Sequence, residues 1–312
     1  MESTVKIIGM ILAIVVALTT IYKFFKKAPS ELKVKQGDSN VESVATRFVA
    51  LFESHGVHRN QIPEFFDHGL DIPSCACDDE LLKKLTPEIL NDAVKLFGVN
   101  KDWLEGSSNK IYDIQDFYKH PEDFDFYLDE LLQSTGANKL SAYALTANKK
   151  PTHESDDSLF VIAESIGEIN QREIYKYHLL GDWGIYYWKS RAYFTACCAL
   201  LYKHGLSVAG KVVERDWLSE ICEGTKLLEY DFTDRYGGIS FSSVGSWIVS
   251  DFVEMPDSYL KGMDTERGPA INLALDMWLS LSENGYMRCF PEDEKYHTCV
   301  EESFRDKVKE SV

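Results

Sequence analysis

Three groups of residues in this 312-residue chain have types and spacings that could carry chemistry. Cys75 and Cys77 form a Cys-x-Cys pair with His68 close by, the opening of a thiolate–imidazole metal site. No second pair follows at zinc-ligand spacing, so they read as structural or surface thiols and no metal is expected. His178 with Cys197 or Cys198 could pair as base and nucleophile. Those cysteines are adjacent within an apolar stretch, where burial disfavours the thiolate, and no nucleophile signature surrounds them. The densest group is YKYHLLGDWGIYYWKSRAYF, residues 175–194. Tyr177, Trp183 and Trp188 offer ring surface there, and Lys189 and Arg191 offer cations, which suits a ligand pocket with an anionic partner. The plainer reading is a hydrophobic core with a polar rim. RYGGISFSSVGS, residues 235–246, is rich in Gly and Ser but has neither the Walker pattern nor a dinucleotide fingerprint. No metalloprotease, Ser-hydrolase or kinase signature occurs, so no catalytic residue and no cofactor are expected.

The elements that must position these residues fall into two patterns. From Glu42 to Gly106 the periodicity is helical throughout: Val44, Phe48, Leu51 and Phe52 mark one face, and a short helix is predicted from about Arg59 to Phe66. Thr86-Pro87-Glu88 is a helix start and Gly98 a left-handed stop, bracketing a stripe of Ile89, Leu90, Ala93, Val94 and Phe97. Residues 107–152 read as a helical connector and loop. Beyond it, LFVIAESIG and REIYKYHLLG are predicted to pair as a hairpin about residues 168–171. A long buried helix over 185–205, a strand SVAGKVV, a short helix DWLSEIC and a capped helix over 269–285 complete an α+β domain spanning 153–312.

Charge separates the ends. Residues 1–35 carry a net +4 within a chain of −17, so the rest suits neither a nucleic-acid coat nor an anionic surface. The uncharged run IIGMILAIVVALTTIY, extended through Phe24 and Phe25, is long enough for a short membrane span over residues 7–25. The basic cluster KFFKK follows it, which argues against a cleaved signal peptide and orients the bulk of the chain to the cytoplasm. The expectation is a membrane anchor over 1–27 and a linker over 28–41 in a single-pass inner-membrane protein.

Three segments, RFVALFESHGV, HRNQIPEFF and AVKLFGVNKDWLEG, give residues 44–106 a resemblance to the lambda-repressor-like helix-turn-helix domain of bacterial regulators. The likeness covers about a fifth of the chain. It implies a helix after the positioning helix that enters the major groove. That place holds DHGLDIPSCACDDELLKK, and residues 44–106 carry six cations against eleven acids. Arg59, Asn60, Lys83 and Lys84 are the DNA-contact candidates, and the charge disfavours their use.

The expected fold is multidomain: one transmembrane helix, a small all-α helix-turn-helix-like domain over 42–106, and a C-terminal α+β domain. The expected function is a membrane-anchored, cytoplasm-facing, non-enzymatic regulator or sensor whose helical domain contacts protein partners or its own copies and whose small-molecule ligand is not specified. The alternatives are a membrane-tethered DNA-binding transcriptional regulator and an enzyme with an unrecognised site in the α+β domain.

Overall fold

Alternating apolar residues along one β-hairpin set the architecture. In the computed structural model, which describes residues 43–147, 157–231, 238–241, 243–263, 270–290 and 292–311, strands β3 (Asp157–Ile169) and β4 (Arg172–Gly184) form that hairpin. Asn170 and Gln171 both take positive φ, 52° and 64°, the pattern of a type I′ turn that matches strand twist. Val161, Ala163, Tyr175, Tyr177 and Leu179 enter one hydrophobic cluster. Phe160, Ile162 and Leu180 point to the other, as a two-residue period requires.

Two further strands precede the hairpin, β1 (Ile114–Gln115) and β2 (Leu140–Thr146), and β5 (Val208–Val213) and β8 (Ser243–Trp247) follow it. Among the described residues these six form one mixed sheet in the order β1-β4-β3-β2-β5-β8. Two residues each, Glu229–Tyr230 (β6) and Ile239–Ser240 (β7), form a separate ribbon.

One face of the sheet is covered by the N-terminal helices. Helix α1 (Val44–Ser54) is capped by Ser43, α2 (Ile62–Phe65) follows a 3₁₀ turn at Arg59–Gln61, and α3 (Asp78–Leu82) is short. Helix α4 (Pro87–Phe97) has Thr86 accepting from the Ile89 amide and Gly98 at φ 69°, the caps its sequence predicts. Helix α5 is Lys101–Leu104. Phe48, Phe52, Ile62, Phe97 and Trp103 share one cluster with Val161, Tyr177 and Leu179, so the helices and the sheet have a common core. Helix α8 (Arg215–Cys222) joins that layer through Leu218 and Ile221.

The opposite face is covered by α6 (Pro121–Thr135), α7 (Trp188–Lys203), α11 (Ala270–Glu283) and α12 (Glu294–Glu310), with the short α9 (Ser250–Glu254) and α10 (Pro256–Leu260) beside them.

The expected fold class is corrected in its membrane element. No helix among the described residues is long and apolar enough to cross a membrane, and the expected span over 7–25 lies outside those residues. Helix α7, with its apolar run, is spent inside the domain, and Phe194 to Leu201 are buried. The single-pass architecture and the inner-membrane location are corrected with it; what stands is a mixed α/β body over residues 43–311.

Candidate functional site

The site begins at the incomplete edge of β4. Strand β1 pairs with only Leu179 and Leu180, so among the described residues Arg172–His178 have a strand neighbour on the β3 side alone. Helix α6 stands on one side of this edge and the turn after α4 on the other. Between them lies a groove of about 700 Å³, bounded by Gly98 and Asp113, by Tyr127 and Glu130 of α6, and by Glu164, Lys176, Tyr177 and His178 of the hairpin. A second hollow of about 540 Å³ shares Glu164 and Lys176 and continues it toward Lys95 and Lys139.

A hydrogen-bonded chain crosses the groove wall. His178 Nε2 lies 2.8 Å from Glu164 Oε2, and Tyr127 Oη lies 2.9 Å from His178 Nδ1. An ionised carboxylate only accepts, so Nε2 carries the hydrogen; in the neutral ring Nδ1 then accepts from the Tyr127 hydroxyl. Thr135 Oγ1 donates to the other oxygen of Glu164, at 3.2 Å, and Lys176 Nζ stands 3.9 Å from Oε2. The His178 hydrogen bond holds the Glu164 carboxyl below its ordinary pKa, against the opposing effect of burial. Burial pushes the Tyr127 phenol upward, so it stays protonated and able to donate.

The rear of the groove carries an unsatisfied group. Tyr177 is 3 % exposed, lines the groove, and its hydroxyl has no hydrogen-bond partner among the described residues. Its ring stacks on the fully buried His55, centroids 5.1 Å apart. A buried hydroxyl without a partner costs stability, and this one belongs to the core shared by the helices and the sheet, on the strand face opposite His178. Gly98 forms part of the wall at a positive φ that favours glycine, and a Cβ there would require the Lys176 chain to give way. With Asp113, Glu130 and Glu164 set against Lys176, the lining favours a polar ligand that brings hydrogen-bond donors or a cation.

No family model, no curated protein and no solved structure matches this chain. The functional reading therefore rests on its own residues.

The aromatic pocket suggested by residues 175–194 is not assembled. Gly181 pairs with Leu159 and Trp183 with Ser158, so one extra residue bulges from β4 and turns Trp183 to the face opposite Tyr177. Gly181 makes that bulge at φ 112°, with the Trp183 ring lying where a Cβ would stand. Trp188 is partly buried at the start of α7, with Lys189 Nζ 5.1 Å from its ring. Arg191 is fully buried and donates to the carbonyls of Ile185, Tyr259 and Lys261, so it anchors the fold and offers the groove nothing.

The DNA-contact candidates are largely committed elsewhere. Arg59 donates to Cys75 O and pairs with Asp78 at 2.7 Å. Thr46 and then Arg59 hold the Asp78 carboxyl below its ordinary pKa, which ties α3 to α1. Lys83 pairs with Glu80 at 2.6 Å, while Asn60 and Lys84 are exposed. Cys75 is buried, Cys77 is exposed, and His68 pairs with Asp92. Cys197 and Cys198 are buried, with thiol pKa values raised by desolvation.

Ser282, His297 and Glu301 also meet, but not as a nucleophile set. Ser282 Oγ donates to Glu301 at 2.7 Å, Ser282 is 1 % exposed, and the hollow beside His297 is only about 10 Å³.

The Tyr127–His178–Glu164 chain escaped the sequence reading because Tyr127 and His178 are 51 residues apart. A partial signal was present: Glu164 follows the apolar run LFVIA, and His178 stands directly before Leu179 and Leu180.

Proposed function

We propose that this protein is a ligand-responsive, non-enzymatic regulator. A small polar molecule enters the groove beside β4, and the helices over residues 44–104 make contacts with a protein partner. One observation carries the reading: the groove is walled jointly by the helical region, through Gly98, and by the α6–hairpin relay. An occupant there touches both parts and biases one through the other.

The helix-turn-helix resemblance remains part of this proposal as a statement of ancestry. The surface where a recognition helix would lie supports protein contacts over DNA. It presents Ile72 and Leu82, 61 % and 43 % exposed, next to Asp79 and Glu80. Exposed apolar side chains rimmed by charge suit a protein interface, whereas phosphate contact needs free cations.

Two measurements test the proposal. Fluorescence anisotropy with mixed-sequence duplex DNA at low salt should show no submicromolar, salt-sensitive binding; such binding would replace the protein-contact reading with a DNA-binding one. Filling the groove from α6 with Ser134→Trp should mimic an occupant. Amide exchange in α3 and α4 is then expected to change by about fivefold or more, the low end of ordinary coupling between sites. Unchanged exchange there would sink the proposed link.

A further inference from the structure

A second cavity, far from the groove in the strand order, has the chemistry of a different ligand. It lies where β2 ends at Thr146 and β8 ends at Trp247, beside α9 and the residue after α10, and measures about 200 Å³. That is below the roughly 300 Å³ at which pockets for drug-sized molecules begin.

Its lining is divided by chemistry. The rings of Trp247 and Phe252, centroids 5.0 Å apart, supply an apolar wall. Asp251 and Lys261 bring opposite charges to the same small space, yet they do not pair with each other, and no ion pair involves either among the described residues. The Lys261 backbone is fixed by the buried Arg191, whose Nη1 donates to its carbonyl at 2.9 Å. Two further groups await partners: Thr146 Oγ1, on a residue 2 % exposed, and the shielded indole Nε1 of Trp247. Gly210 opposite Trp247 keeps the strand spacing, since a Cβ there would strike the Trp247 carbonyl and ring.

We infer that this cavity binds a small zwitterion with an apolar side chain, the class of the free α-amino acids. The ligand's carboxylate meets Lys261, its ammonium meets Asp251, and its side chain packs on Trp247 and Phe252. Thr146 adds a neutral hydrogen bond to the carboxylate. Charge-assisted hydrogen bonds are the strong ones, so each charged end contributes separately to affinity. This site is independent of the groove, and either can fail without the other.

Isothermal titration of the full chain with L-phenylalanine as probe tests it. Saturable binding at one site is expected, with 3-phenylpropionate and phenethylamine, which each lack one charge, weaker by about tenfold or more. Asp251→Asn should weaken L-phenylalanine and phenethylamine while leaving 3-phenylpropionate unchanged. Lys261→Gln should weaken L-phenylalanine and 3-phenylpropionate while leaving phenethylamine unchanged. No saturable binding overturns the inference. So does a half-molecule that binds as tightly as the zwitterion, or a ligand series that neither variant reorders; because the comparison is between ligands on one protein, a general loss of stability cannot imitate it.

Discussion

Replacing Arg191 with Met is expected to lower unfolding stability by about 3 kcal/mol or more, since it leaves the carbonyls that Arg191 bonds without their donor, at about 1–3 kcal/mol for each buried one. The guanidinium is fully buried, 2.6 Å from Ile185 O, 2.7 Å from Tyr259 O and 2.9 Å from Lys261 O. Burial lowers its pKa to about 10, which still leaves it charged at neutral pH. No carboxylate pairs with it among the described residues; its charge is solvated by three carbonyl dipoles instead. Two of those carbonyls lie at the C-terminal end of α10, where a cation is favoured because the last helical carbonyls have no intrahelical donor. Met fills most of the volume but donates nothing, so the three acceptors are left dry. Arg191→Lys should recover only part of the loss, since one ammonium cannot reproduce the planar fork. Urea unfolding, read as a shift in midpoint at unchanged slope, measures both variants. A loss below about 1 kcal/mol for Met would mean that water replaces the guanidinium and that Arg191 does not staple α7 to α10.

Arg191 also shows where sequence reasoning reaches its limit. Seen in a line of text, a cation beside Trp188 and Tyr193 invites a ligand; the carbonyls that occupy it come from positions up to 70 residues away. Local signals fared better. Thr86, Pro87 and Gly98 frame α4 because caps and left-handed stops are decided within a few residues. The hairpin turn was legible for the same reason. Strand β2 was not: LSAYALT lay inside a stretch read as connector, and it is a strand because β3 and β5 flank it. The bulge at Gly181 reverses the face of Trp183, and no two-residue period could have announced it. The groove was not legible either, since its walls come from the supposed connector, the hairpin and the helical region together, residues that only the tertiary fold brings side by side.

Acidification is expected to weaken the protein through His55, at the back of that groove. His55 is fully buried, stacked on Tyr177 and tilted against Phe97, with centroids 5.1 and 4.3 Å away. Its Nδ1 donates to Leu51 O at 2.7 Å, and Nε2 has no partner among the described residues. Desolvation lowers its pKa from 6.5 to about 4, with the Leu51 hydrogen bond opposing part of that effect. Between those values the unfolded chain takes up a proton that the folded chain refuses, so stability falls as pH drops from 6.5 toward 4 and levels below it. The loss is on the order of 3 kcal/mol at about 1.4 kcal/mol per pKa unit. His297, whose pKa is also lowered mainly by burial, acts in the same direction, so the comparison must be made by substitution. His55→Phe keeps the ring stack but forfeits the bond to Leu51, costing about 1 kcal/mol at pH 7. It also abolishes the titration. The two stability curves should therefore cross, the variant weaker at neutral pH and stronger near pH 4.5, as measured by urea midpoints across that range. Parallel curves would show that His55 is protonated in the folded protein, and that the wall behind Tyr177 does not loosen with acid.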